Sequence, residues 1–225
     1  METISLRTSD GFSLKALHGE SNVLADSKPR RGAVLLHMMP ATKESWIGFA
    51  EQLVPFCEVV APDLRGHGES DGGPAGFKAF SNEAHQASRN DVAAAVEYLR
   101  AKGIQDIVLV GASIGANLAL QYAAEHPEIS ACILLSPGIN YYGIETLPLV
   151  ERLRPTQRLL IAASEDDMRT NGSSAATMAQ QLYLAAPDSV QKNVIIYHAA
   201  GHGTNMFGKE TPDLAQEICK VIGVA

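Results

Sequence analysis

The chain has 225 residues, 46% of them hydrophobic, and a formal net charge of −7 at pH 7. That length suits one large α/β domain with a real core and is short for two, so a single domain over residues 1–225 is expected. The acidic balance, with no clustered Lys or Arg, excludes a polyanion partner such as nucleic acid.

Met1-Glu2-Thr3-Ile4-Ser5 has no basic-then-apolar leader character, and no uncharged apolar run is long enough to span a bilayer. A soluble, cytoplasmic protein with no integral membrane segment is expected. Cys57, Cys132 and Cys219 are few, odd in number and widely spaced, which excludes a disulfide framework and a zinc pattern and leaves buried thiols as the expectation. No internal repeat or low-complexity segment is visible.

Thr3 to Arg7 alternates, Asp10-Gly11 reads as a hairpin turn, and Phe12 to Leu17 alternates again, so the chain opens with an antiparallel pair. Ser27-Lys28-Pro29-Arg30-Arg31-Gly32 reads as a polar loop, and Ala33 to His37 as a buried parallel strand. Trp46, Phe49, Leu53 and Phe56 mark one helical face, Cys57 to Ala61 a strand ended by Pro62, and Val92, Val96 and Leu99 a helix closed by Gly103. Further strands are expected at Ile107–Val110, Ala131–Leu135, Arg158–Ala163 and Asn193–His198, with helices after Ser113, around Met178–Leu184, and at the end, where Thr211 caps and Pro212 takes the first position. Repeated βα units imply a mostly parallel sheet of about eight strands, with ligands beyond the strands' carboxyl ends.

That rule singles out Gly111-Ala112-Ser113-Ile114-Gly115, which joins a β-branched run to a helical pattern. Gly-x-Ser-x-Gly at such a corner is a nucleophile elbow: the serine sits at a strained turn, exposed above the sheet at a helix N-terminus whose free N–H groups favour developing negative charge. A serine hydroxyl needs an imidazole to take its proton and a carboxylate to orient that imidazole. With the order Ser, acid, His, only His126, His198 and His202 remain. His126 lies at a helix end beside Pro127, and His198 at the close of a strand, where a core or edge role is expected. His202, in Ala200-Gly201-His202-Gly203-Thr204, is the expected base. For the acid, Glu165-Asp166-Asp167 follows a strand; Asp167 is the first choice and Asp166 the second. The oxyanion hole needs the N–H of Ile114 and one from His37-Met38-Met39-Pro40, with Met39 ahead of Met38.

These stretches, together with Pro62-Asp63-Leu64-Arg65-Gly66-His67-Gly68-Glu69-Ser70, resemble the α/β-hydrolase superfamily of serine esterases and lipases over nearly the whole chain. The resemblance implies an α/β-hydrolase fold with an antiparallel N-terminal hairpin and helices on both faces. It also makes Asp63, Arg65 and His67 loop-bracing residues rather than catalysts. Many relatives have His-Gly where this chain has His37-Met38, and many insert a helical cap where only Pro137 to Pro155 is available, so little or no cap is expected, with Tyr141, Tyr142, Ile144 and Leu147 as a minimal rim. The expected activity is cleavage of small-molecule carboxylic esters through an acyl-enzyme on Ser113, without metal or organic cofactor. Thioesterase, lactonase, amidase or carbon–carbon hydrolase chemistry on the same triad, and a non-catalytic binding protein, are the alternatives. Monomer and homodimer are both open.

Overall fold

A computed structural model describes residues 1–21, 30–170 and 172–224. The opening pair forms as the alternation demands: β1 (Glu2–Arg7) runs antiparallel to β2 (Ser13–Gly19), with Leu6 opposite Leu14. Next come β3 (Arg31–Leu36), α1 (Ile47–Leu53), β4 (Glu58–Pro62), α2 (Asn82–Gln86) and α3 (Arg89–Ala101). Then follow β5 (Asp106–Ala112), α4 (Ile114–Glu125) and β6 (Ile129–Leu135). A short hairpin of β7 (Asn140–Tyr141) and β8 (Ile144–Glu145) leads into α5 (Thr146–Val150). The chain closes with β9 (Arg158–Ser164), α6 (Ala175–Ala185), β10 (Gln191–Tyr197) and α7 (Leu214–Ile222).

The main sheet has eight strands in the order β1-β2-β4-β3-β5-β6-β9-β10, parallel from β4 onward. Along β5 the period-two rule sends Ile107 and Leu109 to one core and Val108 and Val110 to the other. The first core lies beneath α3, α4, α5 and α6, and the second beneath α1 and α7. Burial on both faces is why the central strands read as unbroken apolar runs. Among the described residues, no helix is long and apolar enough to cross a membrane.

Four local expectations need correction. Phe56 is 48% exposed, because α1 ends at Leu53 and the chain turns before that residue returns to the buried face. The last helix is capped by Asp213, whose carboxylate accepts from the Gln216 N–H, and starts at Leu214 rather than Pro212; a carboxylate three residues before a free N–H is a better cap than Thr211 with proline next to it. The strand expected to end at His198 ends at Tyr197, and His198 is solvent-exposed, paired with Glu165. Of the expected polar loop, Ser27, Lys28 and Pro29 lie outside the described residues, whereas Arg31 and Gly32 already belong to β3.

Candidate active site

At the carboxyl end of β5 the backbone of Ser113 is held at φ 54°, ψ −118°, a conformation that costs a non-glycine residue energy and that surrounding contacts must sustain. They are visible. The Ser113 N–H donates to the Leu135 carbonyl at 2.8 Å, and the Ser113 carbonyl accepts from Ala116 and Asn117. Both flanking glycines are sites of close approach: a Cβ on Gly111 would lie 2.1 Å from the Gly115 carbonyl oxygen, and one on Gly115 would lie 2.3 Å from the Leu36 carbonyl oxygen. The elbow is thus pressed between the end of β3 and the first turn of α4.

That pressing brings the loop after β3 alongside Ser113. His37 is fully buried; its Nδ1–H donates to the Met38 carbonyl and its Nε2 accepts from the Leu64 N–H, which fixes the tautomer. Burial, with His67 beside it, pushes the His37 imidazole down to about 4, so it is a neutral brace. Among the described residues no group accepts from the N–H of Met38 or Met39. Ile114 opens α4, so its N–H is one of the donors a helix start leaves unpaired.

The acid and the imidazole meet. His202 Nδ1 donates to Asp167 Oδ2 at 2.7 Å. Asp167 is 9% exposed. Burial alone would raise its carboxyl, but the hydrogen bond from His202, the charges of His202 and Arg169, and Ser136 outweigh it and hold Asp167 below the usual carboxylate range. Asp166 points elsewhere: it accepts from the Ser164 hydroxyl and from the Gly201 N–H, and so ties the acid loop to the histidine loop. Glu165 pairs with His198 at the surface. His126 closes α4, pairing with Glu128.

The histidine loop is seated on the elbow. A Cβ on Gly203 would meet the Met38 sulfur at 2.6 Å and the Ala112 Cβ at 3.3 Å, and the Gly203 N–H donates to the buried Ser136 hydroxyl at 2.9 Å. Ser113 Oγ makes no hydrogen bond to the His202 ring among the described residues.

Three neighbours of the candidate site were not singled out as site residues from the sequence. Ser136, at φ 49° just past β6, accepts from Gly203 and lies beside Asp167. Arg169 lies 3.4 Å from Asp167 Oδ1, and its Nη2 donates to the Ser136 carbonyl at 3.4 Å. Its Nη1 is also 3.5 Å from His202 Nδ1, a contact between two donors rather than a bond while Nδ1 keeps its proton for Asp167. Tyr141, expected in the rim, turns inward: its ring packs against Gly138, and its buried Oη lies near Ser113 without a partner in bonding geometry among the described residues. Burial raises the Tyr141 phenol above its ordinary value, opposed by Arg169 and the Ser113 side chain. The available signal was position, since Ser136 and Arg169 both follow strand ends on the binding side of the sheet.

The Asp-x-Arg-Gly-His-Gly loop is architectural. Asp63 accepts from Lys43 N and Nζ and from Glu69 N, Arg65 forks onto Asp91 and Asp10, and His67 donates from Nδ1 to the Arg65 carbonyl.

A Bacillus subtilis protein bearing the name of a 2-succinyl-6-hydroxy-2,4-cyclohexadiene-1-carboxylate synthase is 31% identical over 148 residues, 64% of this chain and 48% of that one. A Xenopus laevis monoacylglycerol lipase, abhd6-B, is 26% identical over 155 residues, 64% of this chain and 44% of its own. The chain therefore spans about half the length of these curated relatives. Among solved structures, the Pyrococcus furiosus esterase Pf2001 superposes with a TM-score of 0.75 at 15% identity, covering 99% of this chain and 89% of that one. The Rhodococcus esterase RhEst1 gives 0.72 at 16%, covering 99% of each. Likeness at such identity speaks for the fold alone. The family model described as the alpha/beta hydrolase fold matches residues 34–169, running from β3 through the elbow to the acid loop, and the chain belongs to that family.

Proposed function

We propose that the protein is a serine hydrolase that cleaves small-molecule carboxylic esters through an acyl-enzyme on Ser113. The observation that carries this reading is the 2.7 Å hydrogen bond from His202 to the buried Asp167, on a loop seated against the strained Ser113 corner. An imidazole so held has its Nδ1 proton committed to the carboxylate, which leaves Nε2 to accept the serine proton. Ser113 Oγ then attacks the acyl carbon, the carbonyl electrons move onto oxygen, and the N–H groups of Ile114 and Met39 bind that oxyanion. Each such donor typically contributes about 10²–10³ in kcat. His202 returns the proton to the leaving alkoxide, and a water deprotonated by the same nitrogen releases the acid and restores Ser113. The short β7–β8 hairpin favours small or exposed acyl groups over deeply enclosed ones.

Labelling with a fluorophosphonate probe, followed by a panel of p-nitrophenyl esters and thioesters of graded acyl length, tests the reading. Wild-type protein is expected to be labelled on Ser113 and to turn over short-chain esters; Ser113→Ala is expected to lose labelling and at least about 10³-fold in kcat. Well-folded protein that neither labels nor turns over would favour a binding role instead.

A further inference from the structure

Arg169 differs from the other ion-paired arginines of this chain. Arg65 meets Asp91 at 2.7 Å, Arg31 meets Asp106 at 2.6 Å, Arg100 meets Glu128 at 2.6 Å and Arg30 meets Glu58 at 3.0 Å. Arg169 reaches Asp167 Oδ1 only at 3.4 Å, while the other carboxylate oxygen, Oδ2, takes the His202 proton at 2.7 Å. Its hydrogen bond to the Ser136 carbonyl is also 3.4 Å long, and its Nε is buried with no partner among the described residues. Guanidinium–carboxylate pairs ordinarily close to about 2.7–2.9 Å and often engage two donors at once. This guanidinium, its side chain 20% exposed, stands beside Asp167 and His202 with no partner closer than 3.4 Å among the described residues.

The second unpaired group lies next to it. Tyr141 presents its ring to Arg169, with the guanidinium carbon 5.6 Å from the ring centroid, and its buried Oη lies beside the Ser113 side chain without a partner in bonding geometry among the described residues. The ring is fixed from behind: a Cβ on Gly138 would fall 2.6 Å from it, and Gly138 is held by the buried Asn117 side chain. A loosely paired guanidinium beside Asp167 and a phenol beside Ser113 thus adjoin each other, the guanidinium lying over the phenol ring.

We propose that Arg169 and Tyr141 bind a carboxylate at the far end of the acyl group, so that the preferred substrates are monoesters of short dicarboxylic acids. This rests on the esterase reading of Ser113. The carboxylate takes the open donors of Arg169 while the acyl carbon sits at Ser113, and the Tyr141 hydroxyl donates to the substrate between them. A neutral acyl chain of equal length leaves both donors buried and unpaired, which a polar site penalises far more than it penalises a missing methylene.

The test compares kcat/KM for mono-p-nitrophenyl glutarate and for p-nitrophenyl pentanoate, an equal chain ending in methyl, each corrected for uncatalysed hydrolysis. Wild type is expected to prefer the glutarate by about 30-fold or more. Arg169→Met is expected to shrink that ratio at least about tenfold, Arg169→Lys to keep part of it, and Tyr141→Phe to lower it several-fold. Rising salt is expected to raise KM for the glutarate alone. If Arg169→Met folds poorly, Arg169→Lys and the salt dependence carry the decision. A wild-type enzyme without the preference, or a ratio that Arg169→Met leaves intact because both esters slow equally, overturns the subsite; in either case Ser113-dependent cleavage of the pentanoate leaves the esterase reading standing. Cleavage of neither ester, with calorimetry showing glutarate binding to wild type but not to Arg169→Met, overturns the esterase reading and supports the subsite; cleavage of neither without such binding overturns both.

Discussion

Asp166 and Asp167 are adjacent residues in different surroundings. Asp167 is buried against His202 and Arg169, while Asp166 faces outward and accepts from Ser164 and Gly201. Asp167→Asn keeps the shape but no longer stabilises an imidazolium, so kcat is expected to fall about 10³–10⁴-fold with the unfolding midpoint little changed. Asp166→Asn loosens only the tie between the two loops, and a kcat loss of about tenfold or less is expected. Steady-state kinetics on the two variants would reject this assignment if the larger loss fell on Asp166. Arg65 illustrates a structural charge: it is 3% exposed, and its partner Asp91 is fully buried. Arg65→Met would strand that carboxylate, at an expected stability cost of about 3–5 kcal/mol by urea unfolding.

The crossing of α4 over the end of β3 decides where the elbow sits. Gly115 touches the Leu36 carbonyl so closely that a methyl group has nowhere to go, and the obstructing atom is backbone rather than a flexible side chain. Gly115→Ala is expected to lower stability by about 1–3 kcal/mol and to reduce kcat as well, because relief requires the helix start to move from the loop carrying Met38 and Met39. An unchanged urea midpoint would contradict this packing account. The β7–β8 hairpin is held in the same manner from below: Asn117 donates to the Ile144 carbonyl and accepts from the Gly138 N–H, and Thr146 donates to the Gly138 carbonyl. From the outside, the His85 ring stacks on Tyr142 with centroids 3.7 Å apart.

Across the molecule, buried neutral histidines and low-lying carboxylates set the response to acid. His37 is held neutral at about 4, whereas an unfolded histidine titrates near 6.5. The unfolded chain therefore binds the extra proton first as pH drops, so this contribution is fully present above pH 6.5 and is lost as pH falls from 6.5 toward 4. Burial lowers His67 and His85 in the same direction. The hydrogen bond from Arg65 depresses Asp10, whose contribution is present above its unfolded value near 4 and is lost below it. Urea midpoints are accordingly expected to decline between pH 7 and pH 5, by on the order of 2 kcal/mol from His37, and to decline again in more acid solution. A flat profile from pH 7 to 5 would show that His37 is not kept neutral in the folded state.

Local order was legible in the residues. The Gly111-to-Gly115 corner, the apolar strand runs, and the late glycine-flanked His202 depend on φ/ψ limits, side-chain period and chain order, all of which act over a few neighbours. The sheet of eight strands with its antiparallel start follows from the same patterns, and it forms. Only the folded chain shows which of Asp167 and Asp166 is buried against His202, because adjacent carboxylates differ in what a remote loop brings to each. The same holds for Arg169 and Tyr141, which meet only because the loop after β9, the β7–β8 hairpin and the elbow converge. Propensity and pattern are near-neighbour quantities; desolvation and charge pairing depend on what arrives from thirty or more residues away.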